Sequence, residues 1–311
     1  MKVAQSVIEL IGKTPLLNLS ALLPENCASV YGKLEMLNPG GSIKDRPALA
    51  MIRQAEADGH LKKGMTIVEP TAGNTGIGLA LVGNLLGYKT VFFVPSRMSR
   101  EKVNNMRLYG AEVILVPEEM SMQDCIAEAG KYAEEQGNCF MPQQFENPAN
   151  PKQAETILGP EIEEQLGYVP DGIAIGAGTG GTFSGLAHWL KARKPNAQCW
   201  LVEPEGSVFK GGTKGKYQVE GIGNSFIPPT LDIDMADHIA TIPDVDSFKR
   251  CKQLAREAGL LVGGSSGANF EASCQLAAKL GRGKTVVTVI PDTMDRYGSK
   301  DWVQKIVEGE Y

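Results

Sequence analysis

Histidine is scarce: only His60, His188 and His238 occur in 311 residues, and they stand far apart. The six cysteines (Cys27, Cys125, Cys139, Cys199, Cys251, Cys274) are scattered, with no C-x-x-C pair. A structural zinc site therefore has little to build on. Thiols spaced this way fit a reducing compartment, so a cytoplasmic location is expected. No run of about 18 apolar residues occurs, which argues against a membrane-spanning helix. Met1 to Leu10 holds no cationic region followed by an apolar run, so no secretory signal is expected. There is no block of basic residues, and the formal net charge is -5. Nucleic acid is not an expected partner of such a surface.

What remains is the composition of a globular protein, with 42% hydrophobic and 22% charged residues. The length suits two ordinary domains or one large one. Apolar runs at Val30 to Leu37, Met65 to Glu69, Thr90 to Val94, Glu112 to Val116, Asp171 to Gly176, Cys199 to Glu203 and Thr285 to Ile290 read as strands. Helical patterns follow them, among them Ala48 to Asp58, Ile77 to Leu86, Met122 to Gln136, Phe183 to Lys191 and Ala268 to Leu280. Strands that end in Pro or Gly and alternate with helices predict βαβ units and a parallel sheet. Asn147 to Pro151 reads as a junction between domains. Gly206 to Pro229 reads as a long loop, a length often tied to function.

Four turns carry candidate chemistry. In Asn38-Pro39-Gly40-Gly41-Ser42-Ile43-Lys44-Asp45-Arg46-Pro47, Ser42 is a candidate N-cap and Lys44 falls in the first helical turn. The positive end of a helix dipole disfavours an ammonium there, and a lysine with a lowered pKa is a better amine nucleophile. Taken alone, a solvated surface lysine fits this segment as well. Gly178-Thr179-Gly180-Gly181-Thr182 offers closely spaced amides before a helix, a cradle for phosphate or a plain tight turn. It matches neither the P-loop nor the dinucleotide fingerprint. Thr71-Ala72-Gly73-Asn74-Thr75-Gly76 adds an amide side chain, and its donors suit a carboxylate; helix capping is the simpler reading. In Gly263-Gly264-Ser265-Ser266-Gly267 the serines either cap a helix or face a ring nitrogen.

A lysine, a phosphate turn and a carboxylate turn together point to a pyridoxal phosphate enzyme acting on an α-amino acid. From Ile11-Gly12-Lys13-Thr14-Pro15 to Pro291-Asp292 the chain resembles the cysteine synthase and cystathionine β-synthase family. The segments N-P-G-G-S-I-K-D-R and E-P-T-A-G-N-T-G-I-G-L-A carry the likeness. The resemblance implies an α/β fold of two doubly wound domains with mainly parallel sheets, like the tryptophan synthase β-subunit (pyridoxal phosphate fold type II). It implies a smaller, mobile domain at 43–147 and a larger one from 1–42 plus 148–311. It implies pyridoxal 5′-phosphate joined to Lys44, with Asn74 at its 3′-oxygen. Gly178, Thr179, Gly180, Gly181 and Thr182 would hold the phosphate, Ser265 would face the ring nitrogen, and Gly223 would lie near the cofactor. Thr71, Ala72, Gly73, Asn74, Thr75 and Gln144 would hold the substrate carboxylate. Lys44 would move the α-proton. A homodimer is expected.

The implied reaction is β-replacement on O-acetylserine, serine or cysteine by a sulfur nucleophile, through an aminoacrylate, giving cysteine or cystathionine. Glu220 before Gly221-Ile222-Gly223 leans toward the cystathionine β-synthases. It would steer an amino-acid thiol, act as a base, or be a plain loop carboxylate. Asp232 is a candidate for orienting a water. Absence of the haem segment and regulatory domains of the animal enzymes suggests the short bacterial form. Water addition releasing hydrogen sulfide from cysteine, and amine addition to phosphoserine, are alternatives. So is a catalytically silent binding partner, against which intact Lys44, Asn74 and Ser265 argue. Lys152-Gln153-Ala154-Glu155 and Gly298 depart from the usual family pattern.

Overall fold

The computed structural model describes residues 3–71, 73–96, 98–120 and 122–311. Ten strands form two sheets among these residues. They are β1 (Leu16–Asn18), β2 (Ser29–Lys33), β3 (Thr66–Pro70), β4 (Lys89–Pro95), β5 (Glu112–Val116), β6 (Cys139–Phe140), β7 (Gly172–Gly176), β8 (Gln198–Pro204), β9 (His238–Ile242) and β10 (Thr285–Val289). The larger sheet has the order β1-β2-β10-β7-β8-β9, and the smaller β5-β4-β3-β6. Only β1 with β2 pairs antiparallel among the described ladders. The helices are α1 (Asp45–Ala57), α2 (Asn74–Leu85), α3 (Arg100–Leu108), α4 (Met122–Gln136), α5 (Ala149–Gln153), α6 (Gly159–Leu166), α7 (Gly181–Arg193), α8 (Asp244–Ala258), α9 (Gly264–Leu280) and α10 (Asp301–Glu308). None of the described helices is long and apolar enough to cross a membrane.

Both sheets are covered on both faces. On β10, Val286 joins the core with Phe270 and Leu276 of α9, while Val287 and Val289 join the core with Phe183 and Leu186 of α7. Successive residues of a strand point to opposite faces, and here both faces are apolar, as a buried parallel strand requires. Each sheet also reverses direction once. In the smaller, the chain runs from β3 outward to β5 and returns to place β6 on the other side of β3. In the larger, it runs from β7 to β9 and returns to place β10 between β7 and β2. Ligands of open α/β sheets bind where such reversals leave a crevice at the strand C-termini.

Several element boundaries differ from the expected ones for local reasons. Helix α1 begins at Asp45, so Lys44 is its N-cap and Ser42 lies two residues outside. The Ser42 hydroxyl accepts the Lys44 amide at 3.2 Å rather than capping the helix. Strand β2 stops at Lys33 because Glu35 turns into the interior to meet Arg46. Strands β6 and β9 are short or at a sheet edge and were not marked by an apolar run.

Beneath the Lys44 turn lies a buried ionic cluster. Arg46 bonds Glu35 at 2.7 Å and Glu161 at 2.6 Å, and Lys33 reaches Glu161 at 3.0 Å. Lys33, Glu35 and Arg46 are all buried. Burial pushes the Glu161 carboxyl up, but Arg46, the Lys13 amide and Lys33 outweigh it and bring it to about 2. That is below its unfolded value, so this contribution to stability is present above about pH 4.5 and is lost as pH falls through about 2. Denaturant unfolding from pH 5 to pH 2 is expected to show a steeper loss for the native protein than for Glu161→Gln. Parallel curves would mean that the cluster does not hold the fold.

Candidate active site

The turns at both sheet reversals open into one cavity of about 1070 Å³. Its wall includes Lys44, Thr71, Asn74, Thr75, Gln144, Gly178, Thr179, Thr182, Glu220, Ser265 and Asp292. Two glycines of α2 allow close packing here, and Gly78 is the one that meets the Lys44 turn. A Cβ on Gly78 would stand 2.9 Å from the Lys44 carbonyl oxygen, and one on Gly76 would strike Met106 and Thr71. Helix α2 therefore packs directly against the Lys44 turn. The Lys44 ammonium has no carboxylate bonded to it among the described residues. Burial pushes its pKa down, Asp292 works against that, and Lys102 adds to it. The net effect favours the neutral amine, the form that attacks carbonyl carbon.

The Gly178 turn is an open anion cradle. Helix α7 starts at Gly181, after Gly180 at φ +89°; Gly180 has no side chain to cap it, and the Thr179 hydroxyl oxygen accepts the Gly181 amide at 3.4 Å. The amides of Gly178, Thr179 and Gly180 have no protein acceptor among the described residues. A Cβ on Gly178 would stand 2.5 Å from the Gly221 oxygen, and Cβ atoms on Gly180 and Gly181 would run into Leu231 and Asn150. Free amides at the positive end of a 13-residue helix make a site for phosphate. The Gly223 amide donates to the Ala177 oxygen at 2.7 Å, docking the 220–223 segment beside this turn.

The Thr71 turn is more constrained. Thr71 Oγ1 accepts the amides of Gly73 and Gly76, both at 3.1 Å, so its oxygen caps α2 and only its proton is left to give. Ala72 lies outside the described residues. Asn74 donates to Asp292 at 2.6 Å and accepts from Arg296 at 3.0 Å. Thr75 donates to Gln144 at 2.6 Å. Ser265, the second residue of α9, is buried and lines the cavity.

A model of the family described as pyridoxal-phosphate dependent enzyme matches residues 7–292. The chain belongs to that family. It is 47% identical over 298 residues to a cysteine synthase of Staphylococcus aureus, covering 95% of this chain and 96% of that protein. It is 43% identical over 305 residues to a probable cysteine synthase of Bacillus subtilis, covering 97% and 98%. Among solved structures it resembles an O-acetylserine dependent cystathionine beta-synthase from Helicobacter pylori. The TM-score is 0.93 and the identity 42%, over 96% of this chain and 99% of that one.

Pyridoxal phosphate fits these residues. The free amides of Gly178, Thr179 and Gly180 suit its phosphate, and an amine without a carboxylate partner stands in the same cavity for its aldehyde. The fold class and the cofactor expected from the sequence accordingly hold for a member of this family. Among the expected site residues, Asp232 is not brought to the cavity. Its carboxylate bonds His188 at 2.7 Å, and both side chains are 41% exposed. Its amide is held by Ser184 of α7, which turns the side chain outward. The sequence reading missed Lys102, Asp292, Arg296, Tyr297 and Lys300. Asp292 accepts from both Asn74 and Tyr297 at 2.6 Å, and Arg296 also donates to the Gly40 oxygen. In the sequence, Pro291-Asp292 marks only the end of a strand and the far limit of the family likeness. Its place at the β10 reversal was the available signal.

Proposed function

We propose that this protein replaces a leaving group on the β-carbon of a serine-type amino acid with a sulfur nucleophile, using pyridoxal phosphate. When bound, the cofactor supplies an aldehyde for amino groups and an electron-accepting ring. Gly178 to Thr182 would hold its phosphate, Ser265 its ring nitrogen and Asn74 its 3′-oxygen. Asn74 is held on both sides by Asp292 and Arg296, so its amide is already oriented. Thr71, Gly73, Asn74, Thr75 and Gln144 would hold the substrate carboxylate. Lys44 removes the proton at Cα and returns it after the β-carbon has changed partners. The observation that carries this reading is the Lys44 amine opening onto the same cavity as the free amides of Gly178, Thr179 and Gly180. The names of the relatives support sulfur as the incoming atom. We place the mobile lobe at 43–147, which includes the smaller sheet, and expect a cytoplasmic homodimer. Mass spectrometry of products from serine, O-acetylserine, phosphoserine and cysteine, each offered sulfide, homocysteine or water, tests the reading. A product lacking a new carbon–sulfur bond in every combination would overturn it.

Glu220 bears on the second substrate. It is clamped by Lys102 at 2.6 Å and Lys300 at 2.8 Å. Burial works to raise its pKa, but the two ammonium groups outweigh it, so the group stays ionised. An anion held this way is a weak base and a good electrostatic guide. The three charges at the cavity wall match the ammonium and carboxylate of an amino-acid thiol. Glu220→Gln is expected to raise the KM for homocysteine or cysteine by about tenfold, the scale of one lost charged contact, with less effect on sulfide. Equal changes for both nucleophiles, measured as initial rates, would remove Glu220 from substrate choice.

A further inference from the structure

Glu69 is a fully buried carboxylate near the C-terminal end of β3, and no ammonium or guanidinium is bonded to it among the described residues. Burial pushes its carboxyl up to about 7 although two backbone amides pull the other way. A buried carboxyl costs stability unless its oxygens are hydrogen-bonded, so what they bond to matters. Its two oxygens go to two consecutive amides across the sheet reversal: Gln143 at 2.9 Å and Gln144 at 2.9 Å. Gln143 is one of two non-glycine residues at positive φ in the described chain, at +54°. An L-residue holds that conformation only where its surroundings enforce it.

From this turn the connections run into both walls of the site. Gln144 accepts from Thr75 at 2.6 Å, and its backbone oxygen accepts from Asn150 at 2.9 Å. Asn150 donates at 3.0 Å to Thr179 in the Gly178 turn. Thr230 then joins the Phe145 oxygen at 3.0 Å to the Thr179 oxygen at 2.6 Å. The segment 143–150 thus ties the Thr71 turn to the cradle, and Glu69 grips its first two residues.

We infer that Glu69 is a positioning residue that seats the Gln143–Gln144 turn, and through it sets the affinity for the carboxylate of the amino-acid donor. This rests on the proposed role of Gln144. A neutral Gln at 69 has one acceptor and turns an N–H toward the second amide, so the turn loses one of its two bonds, a charge-assisted one above about pH 7 where the carboxyl is ionised.

The experiment uses holoenzyme carrying Glu69→Gln. Hydrogen exchange of a peptide covering 141–147 is expected to speed up relative to wild type, with peptides from α7 and α9 unchanged. Titration with serine or O-acetylserine, followed by cofactor absorbance, is expected to give a dissociation constant raised by about tenfold, as for one charged hydrogen bond. Turnover at saturating donor should fall by no more than about threefold, the split expected when ground-state and transition-state binding are lost alike. Should that variant not fold, Glu69→Asp, too short to serve both amides, is expected to show the same shifts in smaller form. Unchanged exchange in 141–147, or an unchanged dissociation constant, would overturn the assignment. If wild-type protein gives no spectral response to any donor, the proposed activity fails instead, and the exchange measurement still decides whether Glu69 holds the turn.

Discussion

Replacing Lys44 by alanine is expected to lower turnover by at least about a thousandfold, the scale of losing a positioned acid-base group that is also the nucleophile. Four other lysines line the cavity: Lys214 and Lys216 are exposed to solvent, and Lys102 and Lys300 are already bonded to Glu220. Lys102 also lies over the Tyr297 ring, 4.2 Å from its centroid. Neither is free to replace an amine whose pKa is lowered mainly by burial. The substitution leaves the Gly178–Thr182 cradle intact, so the cofactor should still bind, held by its phosphate. Steady-state rates together with cofactor retention after dialysis measure both halves of this. A variant that turns over at the wild-type rate would remove Lys44 from the chemistry. A variant that also loses the cofactor would mean that the cradle alone does not hold it.

The second large effect is on stability. Arg46→Met leaves Glu35 wholly buried without its guanidinium, and breaking a buried pair from one side costs about 3–5 kcal/mol. For a chain of this size that is a fall in melting temperature on the order of 10 °C. Thr14 and Asn38 still donate to Glu35, at 2.6 Å and 2.7 Å, but they carry no charge to offset the carboxylate. Adding Glu35→Gln to Arg46→Met should recover much of the loss, because the buried charge goes with its partner. Calorimetry of the single and double variants checks this. Equal melting points for native protein and Arg46→Met would show that Arg46 does not support the Lys44 turn.

The reading from sequence succeeded where the signal is local. Strand β5 and helix α4 have the expected bounds because an apolar run ending in Pro117 and a long helical period each declare themselves within a few residues. The glycine turns before α2, α7 and α9 were visible for the same reason, since Gly-rich chemistry at a strand end is written in consecutive positions. The start of α1 was misplaced because the helical pattern is plain only from Ala48, while the helix takes Asp45, Arg46 and Pro47 into its first turn. Lys102, Arg296 and the partners of Asp292 could not be read from local pattern. Asn74 and Asp292 are 218 positions apart, and Arg296 and Asn74 are 222 apart. Only the folded chain makes them neighbours. Asp232 shows the opposite error: it follows the 206–229 loop in sequence, yet the Ser184 contact directs it to the outer surface. Glu69 stood in plain view within E-P-T-A-G-N-T-G, but its use depends on β6 returning beside β3.

The account stands on one amine in the cavity joining the cofactor. Holoenzyme reduced with borohydride and then digested should yield a peptide carrying the added pyridoxyl mass at Lys44 and at no other lysine. Label on Lys102, Lys300 or a surface lysine in place of Lys44, or no stable label at all, would contradict it.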